Sequence, residues 1–224
     1  MKIVYQGIAG SYSESCAKFL YPSIETIPCK TFDECFERAS ENSNIRAIIP
    51  ESNKTTGNIG VEYLIFKYRL NIFAEHFFPI NHNLLGLQDA KINEIKEVYS
   101  HAQALSQSSN FIKKNKFVEN VRADTAGSAK FVSEFRDKSK AAIASNLSAK
   151  IYNLKVLDSN IQDDKENVTR FLLMQKDITQ PDLAKDKYIT SLIFKLKDKP
   201  AALYSALSGF ALNACNLTKL QSFP

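Results

Sequence analysis

"KIVYQGIAGSYSESCAKFLY", residues 2–21, sets the pattern that the rest of the chain follows. An apolar run, Ile3-Val4-Tyr5, ends in a loop with Gly7 and Gly10, after which Cys16, Phe19 and Leu20 share one helical face. This reads as a strand, a glycine turn and a helix with serines in its first turn. The rhythm recurs. "IETIP" is a strand, "TFDECFERASE" a helix opened by Thr31 with Glu34 three residues on, and "RAIIP" a third strand. "NIFAEHFFPINHNLLGL" is a long extended segment broken at Pro79. A second set then pairs "EVYS" with "HAQALSQSSNFIKK", "VENVR" with "DTAGSAKFVSEF" and "AAIA" with "SNLSAKIY", before a last strand, "VTRFLLMQ". Strands alternating with amphipathic helices imply an α/β architecture.

After a polar stretch, "KDITQPDLAKDK" at 176–187, a strand-helix-strand pattern closes the chain: "YITSLIFKL", "PAALYSALSGFALNA" and "CNLTKLQSF". A β-α-β piece of this size cannot bury both faces alone. The chain has 224 residues with a net charge of +5, and its basic runs read as solvated faces, so no nucleic-acid partner is expected. Cys16, Cys29, Cys35 and Cys215 show neither CxxC nor metal-ligand spacing and are read as free thiols in a reducing compartment. No apolar run reaches the length of a membrane span, and "MKIVYQG" begins as a strand rather than as a leader. The expected location is the cytoplasm.

Four strand ends run into small polar residues and then a helix: "GIAGSYS", "PESNKTTGNIG", "SHAQALSQ" and "ADTAGSA". Free N–H groups and hydroxyls at helix starts suit a carboxylate or phosphate, and four such ends shared between two strand sets suggest an anion held between lobes. No dinucleotide fingerprint, P-loop or nucleophile elbow occurs. His76, His82 and His101 form no metal cluster, and the pair flanking Pro79 reads as structural. Thr169 and Arg170 interrupt an otherwise apolar strand. A hydroxyl beside a guanidinium is the best local candidate for a charged, oxygen-bearing substrate.

Taken together, these stretches resemble the prephenate dehydratase family. The resemblance is carried by "GIAGSYS", "FFPINHNLL", "SHAQALSQS" (with Ala102 for Pro and Ser108 for Cys), "DTAGSAK" and "NVTRF", and it spans nearly the whole chain. It implies a two-lobed fold like a periplasmic binding protein, with lobe 1 at about 1–78 plus 162–178 and lobe 2 at about 79–161. A truncated phenylalanine-sensing ACT domain would follow at 188–224. The implied reaction converts prephenate to phenylpyruvate, water and CO2, with no cofactor, in a homodimer. Thr169 would assist the leaving hydroxide, with Asn53 as a second catalytic group. Ser11, Tyr12, Ser13, Ser100, Gln107, Thr125, Arg170 and Phe171 would surround the substrate.

Two regions depart from the family pattern. Its Pro-Ile-Glu-Asn-Ser loop is Pro50-Glu51-Ser52-Asn53-Lys54, so a gapless count puts Ser52 where the carboxylate belongs. Either the carboxylate is lost, the reading favoured here, or a one-residue bulge brings Glu51 into its place. With the carboxylate lost, Lys54 could tighten anion binding without aiding chemistry. In the sensor segment Ala201 stands for a glycine and Phe223 for a charged residue, which argues against phenylalanine feedback. The alternative function is an impaired homologue that binds aromatic or dicarboxylate anions without turnover.

Overall fold

The computed structural model describes residues 1–180, 188–192 and 194–222; residues 181–187 of the expected linker and Phe223 lie outside them. The chain forms two units, Met1–Thr179 and Gln180–Pro224.

The first unit begins with β1 (Lys2–Gln6), α1 (Tyr12–Leu20), β2 (Glu25–Cys29), α2 (Phe32–Glu41), β3 (Ile45–Asn53), β4 (Gly57–Asn58), α3 (Glu62–Tyr68) and β5 (Asn71–Pro79). It continues with β6 (Asn83–Gly86), β7 (Glu97–Ser100), α4 (Ala102–Ser106), α5 (Ser109–Asn115), β8 (Val118–Val121), α6 (Thr125–Phe135), β9 (Lys140–Ala144), α7 (Asn146–Ile151) and β10 (Lys155–Asp158). The closing strand is β11 (Val168–Gln175). The strands make two sheets, ordered β2-β1-β3-β11-β5 with β4 beside β3, and β10-β6-β9-β7-β8. The chain therefore leaves the first sheet after Pro79 and returns to it at Val168, giving two α/β lobes joined by two crossovers.

Both faces of the first sheet are covered, which explains its nearly unbroken apolar runs. On one face Ile3, Tyr5, Ile48, Phe171 and Leu173 pack with Cys16 and Ala17 of α1. On the other, Val4, Ala47, Ile49, Leu172 and Met174 pack with Cys35 and Phe36 of α2. The second sheet repeats the arrangement: Leu84, Val98 and Ile143 meet Leu105 and Ile112, while Leu85, Ala142 and Ala144 meet Ala129 and Val132 of α6. Cys16, Cys29 and Cys35 are buried free thiols, and burial pushes the Cys16 thiol up to about 12.

In the second unit the helix forms, as α8 (Ala202–Leu212), but neither flanking segment is a strand among the described residues. This corrects the expected β-α-β segment. Among the described residues neither segment is paired into a sheet, and Ile189, Leu192, Leu203, Tyr204 and Leu212 remain exposed. Ala201 caps α8 at φ 60°, a left-handed conformation that suits the glycine of the family pattern better than alanine.

Candidate active site

β3 and β11 run antiparallel, and their register carries an irregularity. Asn53 faces Thr169 and Ser52 faces Arg170, whereas Phe171 faces Pro50, leaving Glu51 as an extra residue. A bulge of this kind turns two successive side chains to one side of the sheet. Ser52 Oγ accordingly donates to Glu51 Oε2 at 2.5 Å, although neighbours on a regular strand point apart. Glu51 is buried and lies 3.3 Å from Arg170 Nη1. The chain thus adopts the bulge, which sets Glu51 beside Ser52 and Arg170, on the face of the sheet away from Asn53 and Thr169. Lys54 is ion-paired with Glu166.

The same register brings the two candidate catalytic side chains into contact. Asn53 Nδ2 donates to Thr169 Oγ1 at 2.8 Å, and both residues are buried. Asn53 is fixed on its other side, where Oδ1 accepts from the backbone N–H of Thr55 at 2.9 Å and of Thr56 at 3.3 Å. Because Thr169 Oγ1 accepts from the amide, its own proton is available to another oxygen. From this pair a chain of side chains crosses between the lobes. Asn53 Nδ2 donates to Asn167 Oδ1 at 2.8 Å, and Asn167 Nδ2 to Gln107 Oε1 at 3.2 Å. His82 Nε2 is 2.8 Å from Gln107 Oε1, and His82 Nδ1 is 2.7 Å from the Tyr12 hydroxyl. Desolvation holds the His82 pKa below the usual imidazole value, only partly countered by Gln107. Burial pushes the Tyr12 phenol up. A polar depression of about 150 Å³ lies alongside, lined by Thr55, Ser106, Gln107, Gln162, Asn167 and two aspartates, Asp163 and Asp164.

A second set of contacts clamps the glycine loop to the other lobe. Gly10 O accepts from Ser145 Oγ at 2.6 Å and Ser148 Oγ at 2.9 Å, and the Tyr152 hydroxyl donates to Ala9 O at 2.7 Å. Gly10 has φ +91°, and a Cβ there would stand 2.5 Å from Ser148 Oγ and 2.9 Å from Ser148 Cα.

Tyr12, Asn53, Gln107 and Thr169 are therefore brought together, while the remaining expected residues lie elsewhere. Arg170 points to the opposite face of β11 from Thr169, as successive strand residues must, and its Nε and Nη2 meet Glu75 Oε2 at 2.7 and 2.6 Å. Phe171 shares the face of Thr169 but is packed beneath α1, only 1% exposed. Ser100 is fully buried, and its hydroxyl donates to Ile143 O at 2.6 Å. The helix starts are capped by the protein's own carboxylates. Gly10 N donates to Glu14 Oε2 at 2.7 Å beside Ser11 and Ser13, and Gly127 N donates to Asp124 Oδ1 at 2.6 Å beside Thr125. Sequence reasoning missed His82, Asn167 and Gln162, the last accepting from His82 N at 3.0 Å. Only the position of His82 inside "FFPINHNLL" could have signalled it.

Comparison with known proteins adds the family. The family model described as prephenate dehydratase matches residues 3–179. Arogenate dehydratase/prephenate dehydratase 2, chloroplastic, of Arabidopsis thaliana is 38% identical over 225 residues, covering 100% of this chain and 59% of that protein. The chain thus spans about three fifths of that relative's length. The solved structure of the prephenate dehydratase of Staphylococcus aureus subsp. aureus Mu50 is 28% identical with a TM-score of 0.78, covering 100% of this chain and 84% of that one. A structure described as GqqA, a novel type of quorum quenching acylases, is 26% identical with a TM-score of 0.85, covering 100% and 82%. One architecture therefore carries different described activities, and the site has to decide between them. The expectation of a cytoplasmic protein is contradicted: the Arabidopsis relatives are named chloroplastic.

Proposed function

The chain belongs to the prephenate dehydratase family, and on that premise we propose that it removes water and CO2 from prephenate, or from its amino counterpart arogenate, on the route to phenylalanine. Residues 1–178 are read as the dehydratase domain, with the crossovers near 79 and 162 dividing its lobes, and 188–224 as an ACT-like segment in which Ala201 at a glycine position counts against phenylalanine feedback. The name of the Arabidopsis relative supports either substrate. The observation that carries the reading is the bond from Asn53 Nδ2 to Thr169 Oγ1.

The chemistry asks little of the protein beyond orientation and help for one leaving group. The bond between ring carbon and carboxylate breaks, its electron pair enters the ring, and the ring hydroxyl departs with the C–O pair. Aromatisation drives the step. The departing hydroxide takes a proton, so prephenate dianion and one proton give phenylpyruvate, CO2 and water. In this reading the Thr169 O–H bonds the leaving oxygen as its charge develops, and Asn53 N–H bonds Thr169 Oγ1 as that oxygen becomes electron-rich. Tyr12 and Gln107, which the hydrogen-bond chain links to the pair, orient the substrate. Arg170 supports β3 through Glu51 in place of contacting substrate. No cofactor enters. The homodimer is kept as part of this reading, because α8 leaves Leu203, Tyr204 and Leu212 exposed, surface that self-association would cover.

The second reading, binding without turnover, rests on the altered loop, since Glu51 lies with Arg170 and not beside Thr169; the Asn53–Thr169 bond favours turnover. Replacing Thr169 by Val removes the hydroxyl and keeps the shape. Steady-state kinetics and calorimetric titration with prephenate should then show kcat reduced ~10²–10³-fold, in line with loss of one preorganised donor, and affinity nearly unchanged. An unchanged kcat would remove Thr169 from the mechanism.

A further inference from the structure

We propose that His82 is a positioning residue for this reaction, setting through three side-chain amides the direction in which Thr169 presents its proton. The inference rests on the reading of Thr169 given above. His82 lies on the first crossover between the lobes, 2% exposed, and reaches no catalytic side chain directly. Its influence is relayed by hydrogen-bond sense.

Gln107 Oε1 is met by two groups, Asn167 Nδ2 at 3.2 Å and His82 Nε2 at 2.8 Å. A carbonyl oxygen carries no proton, so the proton between His82 and Gln107 belongs to Nε2. A neutral imidazole has only one, which leaves Nδ1 as an acceptor facing the Tyr12 hydroxyl 2.7 Å away, a hydroxyl that also lies 3.0 Å from Asn81 O. With its amide nitrogen held by Gln107, Asn167 turns Oδ1 to Asn53 Nδ2. Asn53 has its own oxygen occupied by Thr55 and Thr56, so Nδ2 also faces Thr169. Thr169 Oγ1 is left as an acceptor on that side and must direct its proton elsewhere. Reversing any one amide would set donor against donor or acceptor against acceptor along the chain. The members come from lobe 1 (Tyr12, Asn53, Thr169), lobe 2 (Gln107) and both crossovers (His82, Asn167), so the relay is complete only with the lobes apposed as they are here.

The test pairs His82→Leu with His82→Gln in the full chain. His82→Leu should lower kcat about tenfold to a hundredfold with KM within a factor of three. His82→Gln, whose amide N–H can reach Gln107 Oε1, should recover much of that loss. In a Thr169→Val background His82→Leu should have no further effect on the residual rate. Equal rates for the Leu and Gln variants, or an undiminished Leu effect in the Thr169→Val background, would overturn the inference and leave His82 a packing residue. The tautomer is read without any turnover by ¹⁵N NMR of histidine-labelled wild-type protein, which also decides the matter should the variants misfold. A proton on Nε2 supports the relay and a proton on Nδ1 overturns it. Failure of the wild type to convert either substrate would instead count against the proposed function.

Discussion

Gly10→Ala probes the clamp between the lobes. The new Cβ would stand 2.5 Å from Ser148 Oγ, 3.2 Å from its Cβ and 2.9 Å from its Cα, and the last of these belongs to the backbone of α7 and cannot swing aside. The loop or α7 has to retreat, and the bonds from Ser145 and Ser148 to Gly10 O are then stretched or broken. Two neutral hydrogen bonds amount to roughly 1–3 kcal/mol. Holding a non-glycine residue at φ +91° adds about 1–3 kcal/mol. The sum, about 2–6 kcal/mol, corresponds to a melting shift on the order of 10 °C for a unit of this size. Differential scanning calorimetry of the full chain reads it. Adding Ser148→Gly removes the clashing Oγ and Cβ but leaves the α7 backbone in the way, so rescue should be partial. A melting temperature within about 2 °C of wild type would show that the loop is not held against α7 and that the apposition of the lobes has another origin.

Other outcomes follow from single interactions. Ser108 Oγ is buried without a hydrogen-bond partner among the described residues, so Ser108→Ala or Ser108→Cys should raise stability by about 1 kcal/mol in urea denaturation. Arg170 is engaged by Glu51 and Glu75 on the face away from Thr169; Arg170→Met should cost about 3 kcal/mol of stability while leaving KM within threefold. A large KM effect without loss of stability would return Arg170 to the substrate. His82 is held neutral, its folded pKa depressed below the unfolded value, so the unfolded chain binds more protons as pH falls below about 6.5. The stability present above that pH is lost progressively as pH drops toward the folded pKa. Melting temperatures at pH 7.5 and 5.5 should differ by a component that disappears in His82→Gln.

The lobes could be read in the sequence because apolar periodicity is local, and "KIVYQGIAGSYSESCAKFLY" folds as its spacing implies. The meeting of Asn53 and Thr169 was readable only through the family motifs, since 116 residues separate them. A gapless count cannot register an extra residue, so the sequence disfavours the bulge, whose cause lies in the pairing of β3 with β11. Arg170 was placed beside Thr169 by adjacency, although the pleat sends adjacent side chains to opposite faces. His82 looked structural because an isolated histidine acquires a role only from partners brought by three other segments: Tyr12, Gln107 and Gln162. In the second unit local propensity produced α8, whereas a strand also needs a neighbouring edge, and the described residues form none on either side of the helix.

The most direct measurement is release of phenylpyruvate from prephenate, and of phenylalanine from arogenate, by the wild-type chain at neutral pH beside an enzyme-free blank. Turnover of at least one substrate well above the blank, reduced ~10²–10³-fold in Thr169→Val, is the expected result. A rate equal to the blank from folded protein that still binds prephenate would contradict the account, leaving the Asn53–Thr169 pair as the remnant of a binding site.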